Sequence, residues 1–400
     1  MHNQIKKYTH KLIRDRIAVP ESIHFYNIID AEKSSNQDEW HSLFTEILHK
    51  VNLSTLLFAK PSLPFADLLI QRSDEQSCRL APKDSETKVF LHDIPFIRED
   101  EWRGKSEKEF YDKILHFLHD RKALLVQNFG IIATGEETIE QAFIAFSTVF
   151  HTTFVKYFLD LLTEGFKLPD EQQHIERFKT AWLRVPDRTD LTFTQGMMHD
   201  KDAIRKELCR VGRYTVEKGY VDSFFGNISY FDGDMIHISK TSSSLDELEN
   251  QIVSVPFDYT SHDSLSASSE LPAHKGIYAC SNYHAVLHGH PKFSVILSMF
   301  CEERGCMIND CTRFCDRKRS LSDVPVIAGE TGVNGLAKSV PPAIQGAGVC
   351  IALGHGIFSA GATGFEEAFQ KMARTEDWCR KEYFRLLNER CKKTPAQELS

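Results

Sequence analysis

Three histidines in the second half of the chain have the types and spacing of metal ligands. His288 and His290 flank one glycine at the end of an apolar stretch, 285–288, which predicts a strand whose two-residue period puts both imidazoles on one face. His355 stands between two glycines directly after the apolar stretch 349–353, at a predicted strand-to-strand turn. Three imidazoles would leave an open position on a zinc ion, which is typical of catalytic rather than structural zinc sites. An H-x-H pair alone is more often incidental, so this hypothesis needs support from neighbouring segments.

A carboxylate upstream of the histidines could move a proton beside such an ion. Ser268-Ser269-Glu270 precedes a helix predicted over 270–280. Serine is a good helix cap and an acid is favoured in the first turn, so the segment by itself indicates only a helix start.

Several short segments of residues 200–390, taken in order, resemble the class II aldolase/adducin family. They are Gly226-Asn227-Ile228-Ser229, Ile238-Ser239-Lys240-Thr241-Ser242, Ser268-Ser269-Glu270, His274, Tyr278, His288-Gly289-His290-Pro291 and His355-Gly356. The resemblance implies that His288, His290 and His355 are the zinc ligands and that Glu270 is the catalytic acid/base. It also implies a set of residues that bind the substrate and its phosphate: Asn227, Thr241, Ser242, Ser268 and Ser269. Ser242 stands where the family usually has glycine, so the identity of the anion stays open.

The resemblance implies a zinc-dependent lyase of the aldolase type, or an isomerase, in carbohydrate metabolism. Its substrate would be a sugar phosphate or a related hydroxy-carbonyl compound, which reacts through a metal-stabilised enediolate. Epimerase and dehydratase activities use the same metal core and stay open. The alternative from another class is a non-catalytic scaffold like the adducin head.

Four cysteines, called the cysteine cluster below, follow the H-x-H segment where the aldolases carry a catalytic tyrosine. They are Cys301, Cys306, Cys311 and Cys315. Their spacing, C-x4-C-x4-C-x3-C, is looser than that of most zinc ribbons. A second, structural metal, free or disulfide-forming thiols, and an iron–sulfur cluster are the alternatives.

An internal repeat predicts two related domains. Residues 124–161 echo residues 350–386, and residues 52–61 lie parallel to residues 282–291. Both copies predict strands joined by glycine turns and followed by a long amphipathic helix. We therefore predict an α/β fold with two related three-layer domains, 1–195 and 196–400, each a mixed, largely antiparallel sheet flanked by helices.

The first copy has no equivalents of the three histidines. Alignment of the repeats puts Phe58, Lys60 and Phe129 at the positions of the ligands. Two phenyl rings and an ammonium group cannot form a zinc site, so we predict a degenerate, metal-free first domain with a structural role. In the family, active sites lie between neighbouring domains of a ring, so we predict a homodimer that forms a four-domain pseudo-tetramer.

Composition limits the partners. The chain of 400 residues has a net charge of −8, which does not favour nucleic acid as a partner. It has no uninterrupted apolar run of 18 residues, which disfavours a membrane span, and its cysteines are too sparse for a disulfide scaffold. These features predict a cytoplasmic protein, and the resemblance implies that its partner is a small-molecule substrate.

Overall fold

The computed structural model divides the chain into two compact units. It describes residues 2–28, 39–183, 191–222, 224–258, 260–303, 306–308, 310–330 and 335–393. The first unit comprises Met1–Tyr157 and Phe166–Phe178, and the second comprises Phe158–Gly165 and Lys179–Ser400.

The first unit is built on a six-stranded sheet with the order β1-β2-β6-β5-β4-β3. Its strands are β1 (His24–Asn27), β2 (Thr55–Ala59), β3 (Arg79–Leu80), β4 (Ile94–Ile97), β5 (Ala123–Val126) and β6 (Gly130–Gly135). The α-helices between residues 2 and 177 are α1 (His2–Arg14), α2 (His41–Val51), α3 (Phe65–Arg72), α4 (Ser85–Leu91), α5 (Glu107–Leu118), α6 (Ile139–Glu164) and α7 (Glu171–Arg177). All neighbouring strands are antiparallel except β4 and β5, which are parallel.

The second unit has an eight-stranded sheet with the order β11-β12-β13-β14-β10-β7-β8-β9. Its strands are β7 (Asn227–Phe231), β8 (Met235–Ser239), β9 (Ile252–Pro256), β10 (Ala285–Gly289), β11 (Arg319–Leu321), β12 (Val324–Ile327), β13 (Val349–Ala352) and β14 (Gly356–Gly361). Its helices are α8 (Lys201–Glu217), α9 (Leu271–Cys280), α10 (Lys292–Met299), α11 (Cys311–Phe314), α12 (Leu336–Ala347) and α13 (Phe365–Lys393). Among the described strands of this sheet, β12 and β13 are parallel, and all other neighbouring strands are antiparallel.

The two sheets share one topology over six strands. The order β3-β4-β5-β6-β2-β1 corresponds to β11-β12-β13-β14-β10-β7, and the parallel pair falls at the same place in both. The register agrees as well, because Phe58 pairs with Ile132 in the first sheet and His288 pairs with Phe358 in the second. The predicted α/β class with mixed, largely antiparallel sheets is confirmed.

The segment before α8 belongs to the second unit. The backbone N–H and the hydroxyl of Thr194 both donate to the buried carboxylate of Glu207 on α8, at 2.9 and 2.7 Å. Gln195 donates to Glu366 on α13. Residue 195, the predicted domain limit, therefore lies inside the region that packs with the second sheet.

One described helix, α6, is long and apolar enough to span a membrane by length and composition. However, 89% of its most apolar window is buried within the protein. Burial of that extent is typical of a core helix.

Candidate metal centre

The three histidines converge in the second unit. His288 lies on β10, His290 follows the end of this strand, and His355 occupies the turn between β13 and β14. All three are less than 5% exposed, and their ligand nitrogens lie within 4.8 Å of one another. The Nε2 atoms of His288 and His290 are 2.9 Å apart. This histidine site is the one group of three or more metal-ligating side chains at such distances in the part of the chain that the structure describes.

A backbone carbonyl fixes the tautomer of His288. Its Nδ1 lies 2.9 Å from the carbonyl oxygen of Ile357 on β14, so Nδ1 carries the proton and donates it. The lone pair of His288 is then on Nε2, the nitrogen that faces His290. Metal-binding histidines are usually oriented in this way by a hydrogen bond from the other ring nitrogen. The donor set therefore fits a divalent ion such as Zn²⁺.

Two glycines let the turn bring His355 into the site. Gly354 has a φ of +63°, a left-handed conformation that side chains rarely adopt. A Cβ atom on Gly356 would lie 2.2 Å from the carbonyl oxygen of Gly289. A larger residue at position 356 would push β14 away from β10, and His355 away from the other two ligands.

Glu270 completes the site. It is the N-cap residue of α9, but its side chain makes no capping hydrogen bond. Its Oε1 lies 2.9 Å from His355 Nε2, and its Oε2 lies 3.4 Å from His288 Nε2. The side chain is 5% exposed. The carboxylate is thus directed at the histidines, and the helix-cap interpretation does not account for it.

The surroundings of Glu270 favour its ionised form. Burial alone would raise the pKa of this carboxyl, but His288, His355 and a hydrogen bond from Asn227 together hold the pKa below its ordinary value. Glu270 is therefore a carboxylate at neutral pH and is able to accept a proton.

Asn227 contacts Glu270 in this structure. Its Nδ2 donates to Glu270 Oε2 at 2.8 Å. Its Oδ1 is buried and has no hydrogen-bond partner within the described residues. A phosphate-binding role for Asn227 stays a prediction, and the contact seen here orients the carboxylate.

The other four predicted substrate residues lie on two adjoining segments. The backbone N–H of Thr241 donates to Ser266, and that of Ser268 donates to Ser239, at 3.1 and 3.0 Å. Ser242 has a φ of +55°, which lies in the left-handed region that favours glycine. Thr241, Ser242 and Ser269 are exposed, while Ser268 is buried and its Oγ accepts from the backbone of Glu270.

A buried polar network of Ser229, His274 and Tyr278 lies near Glu270. The sequence motifs that contain these residues predict no role for them. Ser229 Oγ lies 2.6 Å from both His274 Nδ1 and the hydroxyl of Tyr278. The Tyr278 hydroxyl also donates to the backbone carbonyl of Ser229, at 3.0 Å. The network ties α9, which begins immediately after Glu270, to β7.

Acid should destabilise the protein through His274. Burial lowers its pKa to about 3 from an ordinary value of 6.5, so below pH 6.5 the unfolded chain binds a proton that the folded chain does not. This contribution to stability is complete above pH 6.5 and is lost as the pH falls toward 3. Between pH 6.5 and pH 5, the free energy of unfolding of the wild type, measured with urea, should fall by about 2 kcal/mol more than that of His274→Gln. Equal losses in the two proteins would contradict this assignment.

Aromatic side chains occupy the corresponding place in the first unit. The offset that relates Phe58 to His288 also relates Trp40 to Glu270, and both Trp40 and Glu270 are N-cap residues of their helices. Phe58 and Phe129 have ring centroids 4.7 Å apart, and Trp40 packs edge-on against Phe129 at 5.1 Å. The counterpart of the histidine site is thus part of an apolar core. The repeat offset is the sequence signal that identifies Trp40 as the counterpart of Glu270.

Phe129→Ala tests this interpretation. Phe129 is 8% exposed and also contacts Phe110 and Trp102. The substitution should lower the free energy of unfolding by about 3 kcal/mol, because it opens a cavity among aromatic rings. Urea denaturation would measure this loss, and metal content should stay as in the wild type. The exposed Val89→Ala is the control and should change stability by less than about 0.5 kcal/mol.

The cysteine cluster is not gathered into a ligand shell. Its four thiols are free, with Cys301 exposed and the other three partly buried. Within the described residues, no three of them form a group close enough to hold an ion. A second metal at this place stays a prediction.

Comparisons with known proteins give one family match and several similar solved structures. Among solved structures, the chain is similar to L-fuculose-1-phosphate aldolase from Thermus thermophilus, with 23% identity, 48% of this chain and 98% of the other covered, and a TM-score of 0.40. It is also similar to YgbL from Klebsiella pneumoniae, described as an aldolase/epimerase/decarboxylase, with 21% identity, coverage of 47% and 91%, and a TM-score of 0.38. A search of curated proteins gives no match. The family model for the class II aldolase and adducin N-terminal domain matches residues 206–383, a range that includes the histidine site and Glu270. Over residues 206–383, the chain thus matches the class II aldolase and adducin family.

Proposed function

We propose that the second unit is a zinc-dependent lyase of the aldolase type that acts on a sugar phosphate or a related hydroxy-carbonyl compound. The observation that supports this most strongly is the convergence of three buried imidazoles beside the carboxylate of Glu270. His288, His290 and His355 would hold the ion. Zn²⁺ bound there would supply a Lewis acid that polarises the carbonyl and hydroxyl oxygens of the substrate.

Glu270 moves the proton in this proposal. It is ionised at neutral pH, and Asn227 and His355 hold its two oxygens in place. Cleavage of the bond next to a substrate hydroxyl requires a base for that hydroxyl proton, and the same group can return the proton to the carbon product. Burial of Glu270 and the histidines keeps bulk water away from this transfer.

The two hydroxyl-bearing segments supply a place for the substrate anion. Thr241, Ser242 and Ser269 are exposed, and the Oγ of Ser268 accepts a hydrogen bond from the backbone N–H of Glu270. Hydroxyl and backbone N–H donors can bind a phosphate dianion without lysine. We therefore propose that these segments bind the phosphate of the substrate.

A purely structural role, like that of the adducin head, is less well supported. A scaffold has no need for three buried histidines and a carboxylate at hydrogen-bond distance. The first unit shows what a copy without metal ligands looks like, since aromatic rings occupy the place that corresponds to the histidine site. We propose that the first unit is a metal-free structural copy, and the homodimer remains a prediction of the sequence.

The proposal is tested with the full chain, Zn²⁺ and a panel of ketose 1-phosphates that includes L-fuculose 1-phosphate. Cleavage would release dihydroxyacetone phosphate, which a coupled reduction detects, whereas epimerisation or dehydration would change the sugar without releasing it. Removal of the metal by a chelator should abolish the reaction, and Zn²⁺ should restore it. Full activity in metal-free protein would refute the proposal.

A further inference from the structure

We propose that the cysteine cluster binds one structural Zn²⁺ through four thiolates. This site is separate from the histidine site and does not depend on the proposed function. Four sulfur ligands suit zinc in a closed tetrahedral shell, whereas the three-histidine set leaves a position open. On coordination, each thiol would release its proton to solvent and each sulfur would donate an electron pair to the ion.

Arg319 closes the base of the loop that carries the cysteines. Its guanidinium donates to the backbone carbonyls of Ser298 and Phe300, at 3.0 and 2.7 Å. Phe300 immediately precedes Cys301, and Arg319 begins β11 shortly after Cys315. The two ends of the loop are therefore joined in the folded protein. Metal binding does not have to offset the entropic cost of bringing these ends together.

Two of the four thiols are neighbours on one helical turn. Cys311 begins α11 and Cys315 follows it, and the backbone N–H of Cys315 donates to the carbonyl of Cys311 at 3.2 Å. Side chains four residues apart lie on the same face of a helix. Half of the proposed ligand set is thus on one face before any ion binds.

The remaining thiols and two arginines lie within electrostatic range. Arg319 and the thiols of Cys301, Cys306 and Cys315 all interact electrostatically with the Cys311 thiol. Arg317, which pairs with Glu303 at 2.7 Å, also interacts with the thiols of Cys306 and Cys301. Zinc with four thiolates has a net charge of about −2, and the guanidinium of Arg319 would partly offset it.

The thiols must move together to enclose the ion, because they do not form a ligand shell in the described structure. Their position allows this movement, since Cys301 is exposed and the other three are only partly buried. Zinc sites commonly assemble as the metal binds, with the binding energy ordering the segment.

Zinc in this loop would support the turn that carries His355. The carbonyl of Thr312 on α11 accepts from the backbone N–H of Gly329 at 2.8 Å. The methyl group of Thr312 also lies against Gly354, where a Cβ atom would come within 2.9 Å of it. Ordering α11 would therefore restrain the residue that precedes His355.

The test uses His290→Ala in the full chain, so that zinc retained after dialysis reports on the cysteine cluster. We expect about one Zn²⁺ per chain, and none after fourfold replacement of the cluster by serine in the same background. Co²⁺ in place of Zn²⁺ should give the intense near-ultraviolet absorption of a cobalt–thiolate bond. Cys209→Ser, outside the cluster, should change neither result.

A second measurement on the wild-type chain applies even if the fourfold variant does not fold. Zn²⁺ should protect Cys301, Cys306, Cys311 and Cys315 from alkylation, and a chelator should expose them, as read by mass spectrometry of peptides. Four thiols that are alkylated equally with and without Zn²⁺ would overturn the proposal. Disulfides within the cluster, or the visible absorption of an iron–sulfur centre in the purified protein, would overturn it as well.

Discussion

Glu270→Gln is expected to lower turnover by about 10²–10⁴-fold while leaving the metal bound. Glutamine has nearly the size of glutamate, and its amide oxygen can still accept the hydrogen bond from Asn227. It cannot take up a proton at neutral pH, so the transfer assigned to Glu270 would be lost. The three imidazoles remain in place to hold the ion.

The measurement pairs steady-state kinetics on the ketose 1-phosphate that the wild type cleaves with metal analysis of the same preparation. Glu249→Gln is the matched control, because Glu249 is exposed and pairs only loosely with Arg213, at 3.6 Å. Normal turnover in Glu270→Gln would show that Glu270 is not the proton carrier. An inactive protein that has also lost its metal would make Glu270 a ligand rather than the proton carrier.

His290→Ala is expected to abolish activity and to weaken metal binding at the histidine site together. The Nε2 of His290 lies 2.9 Å from that of His288, so its removal takes away one of three nitrogen donors. We expect affinity for Zn²⁺ at this site to fall by more than about 100-fold, because even outer-shell changes cost about 10–100-fold. Zinc titration with a competing chelator would measure the change.

Lys60→Ala provides the matched control for His290→Ala, since the repeat places Lys60 at the corresponding position of the first unit. The Lys60 side chain is exposed, and the hydrogen bond that Lys60 makes to Ser22 uses its backbone N–H. Metal content and activity should both match the wild type. A loss of metal in Lys60→Ala would contradict a metal-free first unit, and unchanged affinity in His290→Ala would remove His290 from the ligand set.

The sequence predicts the strands around the site well because each carries a strong local signal. The apolar stretches 285–288 and 349–353 correspond to β10 and β13. The glycines around His355 mark its turn because the close strand approach and the left-handed φ require glycine. Local pattern thus locates the elements that position two of the three histidines.

Helices and strands without a strong local sequence signal were not predicted. Helix α12 contains Pro341 and Pro342, which remove backbone donors and argue against a helix in sequence. In the structure, α12 packs Leu336, Val340 and Ile344 into the core, so tertiary burial stabilises a helix that local propensity disfavours. Strand β9 is short and ends at Pro256, so it has no clear alternation.

The contacts within the site depend on tertiary structure. Asn227 and Glu270 are 43 residues apart, and the carbonyl of Ile357 that orients His288 has no signature in residue type. The motif order identifies the residues, but only the fold shows that Asn227 contacts the carboxylate.

The central claim is that one divalent ion lies among the three histidines of the second unit and none lies at the aromatic counterpart in the first. Anomalous diffraction at the zinc absorption edge, on crystals of the zinc-loaded full chain, tests it most directly. We expect a peak about 2.0–2.1 Å from one nitrogen each of His288, His290 and His355, with none beside Phe58 and Phe129. The absence of a peak at the histidines, or a peak within the aromatic cluster, would contradict the account.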